Sequence, residues 1–467
     1  MKDLAQPLVL VLGIGESGLA MARWCARAGA RLRVADSRAE PPLRAALEAA
    51  VPQAQVFAGP FDESLLEGVE RIALSPGIDP REPLLLRARE QGVETVGEMA
   101  LFAEALESLG LRRETRIAAI TGTNGKTTTT ALTAALLAGA GLDVAAAGNI
   151  SPAALAVLCD RLEAGRALPQ CWVLELSSFQ LEQAGDFAAD AATVLNVSDD
   201  HLDRHGSLEA YAAVKARVFD GCAVQVLNDD DARVRNMARD GCRQLRFTAS
   251  PPPAEGFGLA AGEGEEAWIM RGGERLLPLS ALRLSGRHNV LNALAALALG
   301  EALGVSLPPM LAALKDFQGL PHRVELVARR ADGVPFYNDS KGTNVGATVA
   351  ALEGLGCPVV LIAGGDGKGQ DFAPLAQALA RHARAVVLIG RDAPRIAQAL
   401  AAVGVASERA PDMAAAVQCA NARAQAGDAV LLSPACASLD MFRNYVQRAE
   451  AFVAAVAALP DVGRAAA

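Results

Sequence analysis

IAAITGTNGKTTTTALTAALL, residues 117–137, joins a short apolar run to a helical pattern through a glycine-framed loop. The common phosphate-loop pattern is G-x-x-x-x-G-K-[ST]; here Ile120 stands at its first glycine, while Gly122, Gly125, Lys126 and Thr127 remain. The physical design survives that change. A buried strand, RIAAIT, delivers the N-terminus of a helix, KTTTTALTAALLAGAG, whose free amides and dipole attract an anion. Glycines at 122 and 125 allow a close wrap around a phosphate. Lys126 is placed to bridge terminal phosphates, and Thr127 to set its hydroxyl on Mg²⁺. A plain strand-to-helix turn would not require G-K-T at the helix start.

Outward from this loop, apolar runs alternate with helical patterns along the chain, the mark of parallel α/β sheets. Three blocks are expected, and 467 residues suit about three domains. The first opens with the strand PLVLVLG and runs to Leu106. The second carries the loop, the strands CWVLELS and AATVLNVS, and a long helix from His288 to Leu303. Its SPPPAEGFG patch reads as a surface excursion. The third begins near FQGLPHR, a linker-like stretch, and holds VPFYND, PVVLIAGG, AVVLIG and DAVLLSP as strands.

Composition narrows the partners. A net charge of −9 argues against nucleic acid, whose phosphates demand a basic face. Aromatic residues are only 4%, so the cores must rest on Ala, Leu and Val. Eight cysteines without a C-x-x-C pair read as free thiols in a reducing compartment. MKDLAQPLVLVLGIG is apolar only briefly and reads as a strand, and no purely apolar run reaches about 18 residues. A cytoplasmic protein without a membrane segment is expected.

A second cradle is GIGESG, Gly13 to Gly18, a full G-x-G-x-x-G between strand and helix, with Asp36 at the end of the next strand. Two diphosphate sites leave two readings open: a dehydrogenase with an ATP domain, or a ligase whose substrate carries a nucleotide. Only five histidines occur, and His201, His205, His288 and His322 sit at strand ends or helix starts. His201 and Glu175 follow strands on the side where α/β sheets bind ligands, and Glu175 suits Mg²⁺. His201 and His205 have helical zinc spacing but no third ligand nearby, so His205 reads as a surface or supporting residue. Lys215, on the helix YAAVKARVF, reads by itself as a solvated helix-face lysine.

Taken together, GIGESG, ADSR, SPGI, TGTNGKTT, GNI, ELSSFQLE, NVSDDHLDRHGS, YAAVKARVF, GRHNVLNALAA, LPHRVE, NDSKGTN, GGDGKGQDF and LLSPACASLDMFRNY resemble the Mur ligase family, within it the members that add D-glutamate. The likeness covers essentially the whole chain, and TGTNGKT is that family's own form of the loop. It implies an α/β chain of three domains. These are an N-terminal Rossmann-like domain (1–106) binding a UDP substrate, a central P-loop ATPase-like parallel sheet (107–318) binding ATP, and a C-terminal Rossmann-like domain (319–467) binding the amino acid.

Carried onto this chain, the resemblance implies ATP phosphates on Gly122, Thr123, Asn124, Gly125, Lys126, Thr127 and Thr128, with Asn289, Asn292, Arg323 and Asp339 toward purine and ribose. It implies two Mg²⁺ ions on Thr127, Glu175, His201 and a carbamylated Lys215 (N6-carboxylysine). The UDP of UDP-N-acetylmuramoyl-L-alanine would lie by Gly15, Glu16, Ser17, Asp36, Ser37, Arg38, Ser75 and Gly77, with Asn149 near the sugar. D-glutamate would lie by Thr343, Lys368, Ser438 and Tyr445. Lys126, Glu175, His201, Lys215 and Arg323 would carry the catalysis. Two mild departures are Tyr445 where many relatives have Phe, and GNIS for GNIG. Arg323 comes from the third block, so a hinge near Gly319 to Pro321 and an open form without nucleotide are expected. A monomer is expected. The alternatives are a sister ligase or folylpolyglutamate synthase, an NAD-dependent dehydrogenase, and a silent nucleotide-binding module.

Overall fold

The computed structural model describes residues 6–261, 266–284 and 286–464. The first five residues of the N-terminal stretch and the closing alanines lie outside them. Three sheets follow one another along the chain. The first has five parallel strands: β1 (Leu8–Leu12), β2 (Arg31–Asp36), β3 (Gln55–Ala58), β4 (Arg71–Leu74) and β5 (Glu94–Val96), in the order β3-β2-β1-β4-β5. Its order reverses between β1 and β4. A crevice opens at such a switch point, outside the carboxyl ends of the strands. GIGESG leaves β1 there and SPGI leaves β4.

The central sheet has nine strands: β6 (Arg116–Thr121), β7 (Val144–Gly148), β8 (Cys171–Glu175), β9 (Ala191–Val194), β10 (Val224–Asn228), β11 (Arg243–Phe247), β12 (Gly256–Ala261), β13 (Ala267–Arg271) and β14 (Glu274–Pro278). Their order is β14-β13-β12-β11-β10-β9-β6-β8-β7. β6 lies between β8 and β9, so the loops after these three strands converge. β8 and β9 are buried along their whole length and β6 from Ile117 onward, as apolar runs covered on both faces must be. SPPPAEGFG is a correction to the reading above. Instead of a mere surface excursion it feeds β12, which pairs in parallel with β11 and then antiparallel through β13 to β14. The excursion extends the sheet.

The third sheet has seven strands: β15 (Glu325–Arg330), β16 (Pro335–Asn338), β17 (Val359–Gly364), β18 (Ala383–Ile389), β19 (Ser407–Arg409), β20 (Ala429–Leu432) and β21 (Val462–Arg464), in the order β19-β18-β17-β20-β16-β15-β21. β19 through β16 run parallel, and β15 and β21 close one edge antiparallel.

The first two sheets share a continuous core. Val9, Val11 and Met21 from one side join Phe102, Trp172 and Leu174 from the other in one cluster of buried side chains. Phe102 meets Trp172 edge-on with ring centroids 4.9 Å apart. The helix Glu98–Ser108 carries this junction, and the expected boundary at Leu106 falls inside it. The loop helix Lys126–Gly139 packs against the helix Arg287–Ala302 through Leu132, Leu136, Ala293 and Leu297 on the opposite face of the central sheet. No helix among the described residues is long and apolar enough to cross a membrane.

Candidate active site

The quoted loop takes the shape its glycines allow. Gly125 has φ +84° and caps the helix Lys126–Gly139, and a Cβ there would stand 2.5 Å from Asn292 Oδ1. Gly122 has φ +148°, with Leu195 packed against it. The helix ladder begins with Thr129 N donating to Gly125 O at 2.9 Å. The amides of Lys126, Thr127 and Thr128 therefore have no acceptor within the helix and face the mouth of the loop. Thr123 N and Asn124 N are held instead by Asn196, through its carbonyl (2.9 Å) and its side-chain oxygen (2.9 Å). Lys126 Nζ curls back onto the carbonyls of Gly122 (2.9 Å) and Thr123 (2.8 Å). The loop is a rigid cup with an ammonium across its rim.

Above it is a cavity of about 600 Å³ lined from two domains. The central domain contributes Thr123 to Thr128, Asn149, Glu175, His201, Asn289 and Asn292; the third contributes Arg323, Asp339 and Thr343. Glu175 ends β8 almost fully buried, at 2% exposure. Its Oε1 accepts from Asn149 Nδ2 at 2.8 Å, while its Oε2 is buried with no partner. A carboxylate oxygen orphaned beside a phosphate loop fits a cation. His201 sits in the left-handed region (φ 52°) at the start of a short helix, where burial and the Lys368 and Lys126 charges push its imidazole down against the pull of Asp200. Both causes favour the neutral imidazole, the form that binds a metal. Among the described residues no cluster of three His, Cys, Asp or Glu side chains stands together.

Lys215 overturns its solvated reading. It is 1% exposed, because the helix Leu208–Ala216 lies beneath the loop and turns Tyr211 and Lys215, one turn apart, toward it. Its Nζ donates to Gly122 O at 2.8 Å and lies 4.4 Å from the centre of the Tyr211 ring. Burial, then the neighbouring Lys126 charge, hold the amine well below the usual lysine range. A neutral amine is the form that adds carbon dioxide. His205 is a supporting residue: its Nε2 lies 3.0 Å from Ser178 Oγ, and its ring packs on Tyr211 and Phe179.

Arg323 is already inside the cavity. Asn344 of the third domain bonds Asn124 of the phosphate loop, so the cavity is bridged across the two domains. Asp339 is buried and accepts from Ser433 Oγ at 2.7 Å; desolvation outweighs that bond and the Arg323 charge, raising its carboxyl to about 7. Lys341, unassigned from sequence, also lines the cavity, and its Nζ stands 4.0 Å from the centre of the Tyr445 ring. Its signal was its place in NDSKGTN, two residues after Asp339. Asn344, Asn196 and Asp200 were missed as well. Lys368 (φ 48°) is exposed, and Ser438 is buried; neither lines the cavity.

The first crevice is organised around Asp36. Its Oδ2 accepts from Ile14 N at 2.7 Å and from Arg38 at 2.6 Å, which hold its carboxyl down at about 2, Arg38 foremost. Asp36 thus pins the glycine loop. Ser75 Oγ donates to Gly13 O at 3.3 Å and packs against Gly13 and Gly18. Gly15 and Gly77 have open space where a Cβ would be, and Glu16, Ser37 and Arg38 are exposed around them. Asn149, expected near the sugar, lies on Glu175 in the other cavity.

Comparison with known proteins agrees along the chain. Residues 7–97 match the family model described as Mur ligase MurD-like, N-terminal domain; residues 120–300 match the Mur ligase middle domain; residues 322–436 match the Mur ligase, glutamate ligase domain. A relative from Aromatoleum aromaticum, named UDP-N-acetylmuramoylalanine--D-glutamate ligase, is 63% identical over 464 residues, 99% of each chain. One of the same name from Ralstonia nicotianae is 55% identical over 98% of each. The solved UDP-N-acetylmuramate-alanine ligase MurC of Thermotoga maritima superposes with a TM-score of 0.59 at 22% identity, over 96% of this chain and 98% of its own, a likeness of fold. By its three matched segments and its full-length relatives, the chain belongs to the Mur ligase family.

Proposed function

We propose that this chain joins D-glutamate to UDP-N-acetylmuramoyl-L-alanine at the expense of ATP, a step of peptidoglycan synthesis in the cytoplasm, and that it works as a single chain. The observation that carries this is the convergence on one cavity of a phosphate loop, an orphaned Glu175 oxygen and third-domain cations. The 63% identity to a relative of that name supports the choice of amino acid over the sister ligases and the folate enzyme. A dehydrogenase has no use for the second cavity, and a silent module none for Lys126, Glu175 and Lys215 together.

In this reading the substrate carboxylate attacks the γ-phosphate of ATP, giving an acyl phosphate and ADP. The glutamate amine then adds to the acyl carbon, and the tetrahedral intermediate expels phosphate to leave the amide. Gly122 to Thr128 cradle the phosphates, and Asn289, Asn292, Arg323 and Asp339 bound the nucleoside side. Lys126, and Arg323 from the facing domain, neutralise the transferring group, where prearranged charge usually matters most. Thr127, Glu175, His201 and a carbamylated Lys215 would hold Mg²⁺, which supplies further charge neutralisation. Gly15, Glu16, Ser17, Ser37, Arg38, Ser75 and Gly77 border the UDP crevice, steadied by Asp36. The glutamate is assigned to Thr343 on the cavity wall and, although they stand off that wall, to Lys368, Ser438 and Tyr445. The units of this division of labour are 1–106, 107–318 and 319–467.

The test is phosphate release with UDP-N-acetylmuramoyl-L-alanine, ATP and Mg²⁺ against a panel of amino acids. Release with D-glutamate alone is expected; release with another amino acid, or none, overturns the reading. Hydroxylamine, added without glutamate, should trap the acyl phosphate as a hydroxamate.

A further inference from the structure

The junction of the first two domains holds a carboxylate that the chemistry above does not use. Glu98 opens the helix Glu98–Ser108 and is 1% exposed. Its Oε2 accepts from the Ser17 hydroxyl at 2.9 Å, and its Oε1 from Leu155 N at 3.2 Å. The amide of Ala154 and the side chain of Gln180 stand near it and favour its charged form. Burial pushes the carboxyl up, against the Ser17 hydroxyl and the Leu155 amide that donate to it.

These groups come from three places that must keep register. Ser17 belongs to the glycine loop of the first crevice. Ala154 and Leu155 start the helix Ala154–Glu163 of the central domain. Gln180 lies in the helix Ser178–Glu182, directly after the strand that presents Glu175, and its own Oε1 is spent on Ser177. Next door, Gly97 N donates to Gln183 O at 3.0 Å, and a Cβ on Gly97 would stand 2.8 Å from Gln183. The chain on both sides of the carboxylate is thus pressed onto the same turn. A mere helix cap would stop at Leu155; the Ser17 arm reaches into the other domain's ligand loop.

We infer that Glu98 is a positioning residue that locks the UDP-side glycine loop to the segment carrying Glu175, fixing how far the bound substrate's carboxylate reaches toward ATP. This rests on the ligase reading above. Misplacement of about 1 Å costs roughly 100-fold in rate when reacting groups must meet.

The experiment compares wild type with Glu98→Gln, Ser17→Ala and the double variant. Glutamine keeps the volume but turns one acceptor into a donor. Expected is a fall in kcat of roughly 10- to 100-fold for Glu98→Gln. For Glu98→Gln the ATP KM and the Kd of UDP-N-acetylmuramoyl-L-alanine should stay within about threefold, since neither cradle loses a side chain. The double variant should be little worse than Glu98→Gln alone. Unchanged kcat, or effects that multiply independently, overturns the inference. Hydrogen exchange provides a readout independent of turnover: amides around Ser17 and Leu155 should exchange faster in the folded variant, and unchanged protection overturns the lock. Should Glu98→Gln fail to fold, Glu98→Asp, which keeps the charge but withdraws it by one methylene, is expected to give the same kcat loss. An inactive wild type would sink the ligase reading, while exchange would still decide the lock; an active wild type with an equally active Glu98→Gln sinks the lock alone.

Discussion

Asn344 of the third domain donates its side-chain amide to Oδ1 of Asn124, in the phosphate loop, across 3.1 Å. The same Asn344 caps the helix Val345–Leu355, its Oδ1 accepting from Ala347 N at 2.8 Å. One side chain therefore fixes a helix start and ties it to the cup.

Serine at position 344 separates these tasks, because it caps helices well but is too short to reach Asn124. A neutral hydrogen bond contributes about 1 kcal/mol, or roughly fivefold in an equilibrium. Asn344→Ser is expected to raise the ATP KM about fivefold with a nearly unchanged Tm. Solution scattering with an ATP analogue should show a larger radius of gyration than wild type. A wild-type KM would remove the bridge from nucleotide binding.

Lys126 spans the rim of the cup, its ammonium pushed down by its surroundings and pulled back up by Glu175 and Asp200. Lys126→Ala should cut ADP release by at least roughly 100-fold, the scale of losing one transition-state donor. Calorimetry should find UDP-substrate binding intact, since that crevice lies in another domain. Retained turnover would take the loop out of the mechanism.

The buried Lys215 amine, held below the usual lysine range by burial and by the Lys126 charge, can add carbon dioxide in its neutral form, forming one N–C bond and releasing one proton. Native mass spectrometry in ¹³C-labelled bicarbonate should find one labelled carboxyl on the peptide containing Lys215, and none in Lys215→Met. Its absence from active protein would leave the cation with Thr127, Glu175 and His201.

His288, on the helix Arg287–Ala302, is enclosed against the third domain, with Nδ1 unpartnered. Burial drives its imidazole down to about 4, against a bond with the Ala350 backbone. Above pH 6.5 folded and unfolded chains are both neutral there, so its contribution is complete. Between pH 6.5 and 4 only the unfolded chain takes up the proton, and stability falls as pH falls, by up to about 3 kcal/mol. Asp339, raised to about 7, acts oppositely: stability declines as pH rises from about 4 to 7. The histidine's share is therefore read as the difference between wild type and His288→Asn in denaturant titrations. That difference should shrink as pH falls through this window; a flat one would count against the buried histidine.

The sequence made the parallel layers and both glycine loops legible because each is local: apolar run, glycine, helix. β12 to β14 escaped because Pro251 to Pro253 read as punctuation, and short strands such as ERLLP lack alternation. Lys215 misled for a different reason. Its burial is decided by what lies over its helix, although Tyr211 four residues earlier marked the same face. Bonds such as Asn124 to Asn344, or Ser17 to Glu98, join residues 220 and 81 positions apart and obey no spacing rule.

The helix Glu16–Arg27 begins at the first glycine loop and ends against the central domain, where Arg23 holds Asp160 at 2.7 Å and Glu163 at 2.9 Å. Twelve residues make a rod of about 18 Å. Swinging such a lever by about 5° shifts its far end by roughly 1.5 Å. A molecule that feeds one nucleotide's cargo to another must therefore be stiff at this shoulder, and softness there would be felt as lost aim before it was felt as lost grip.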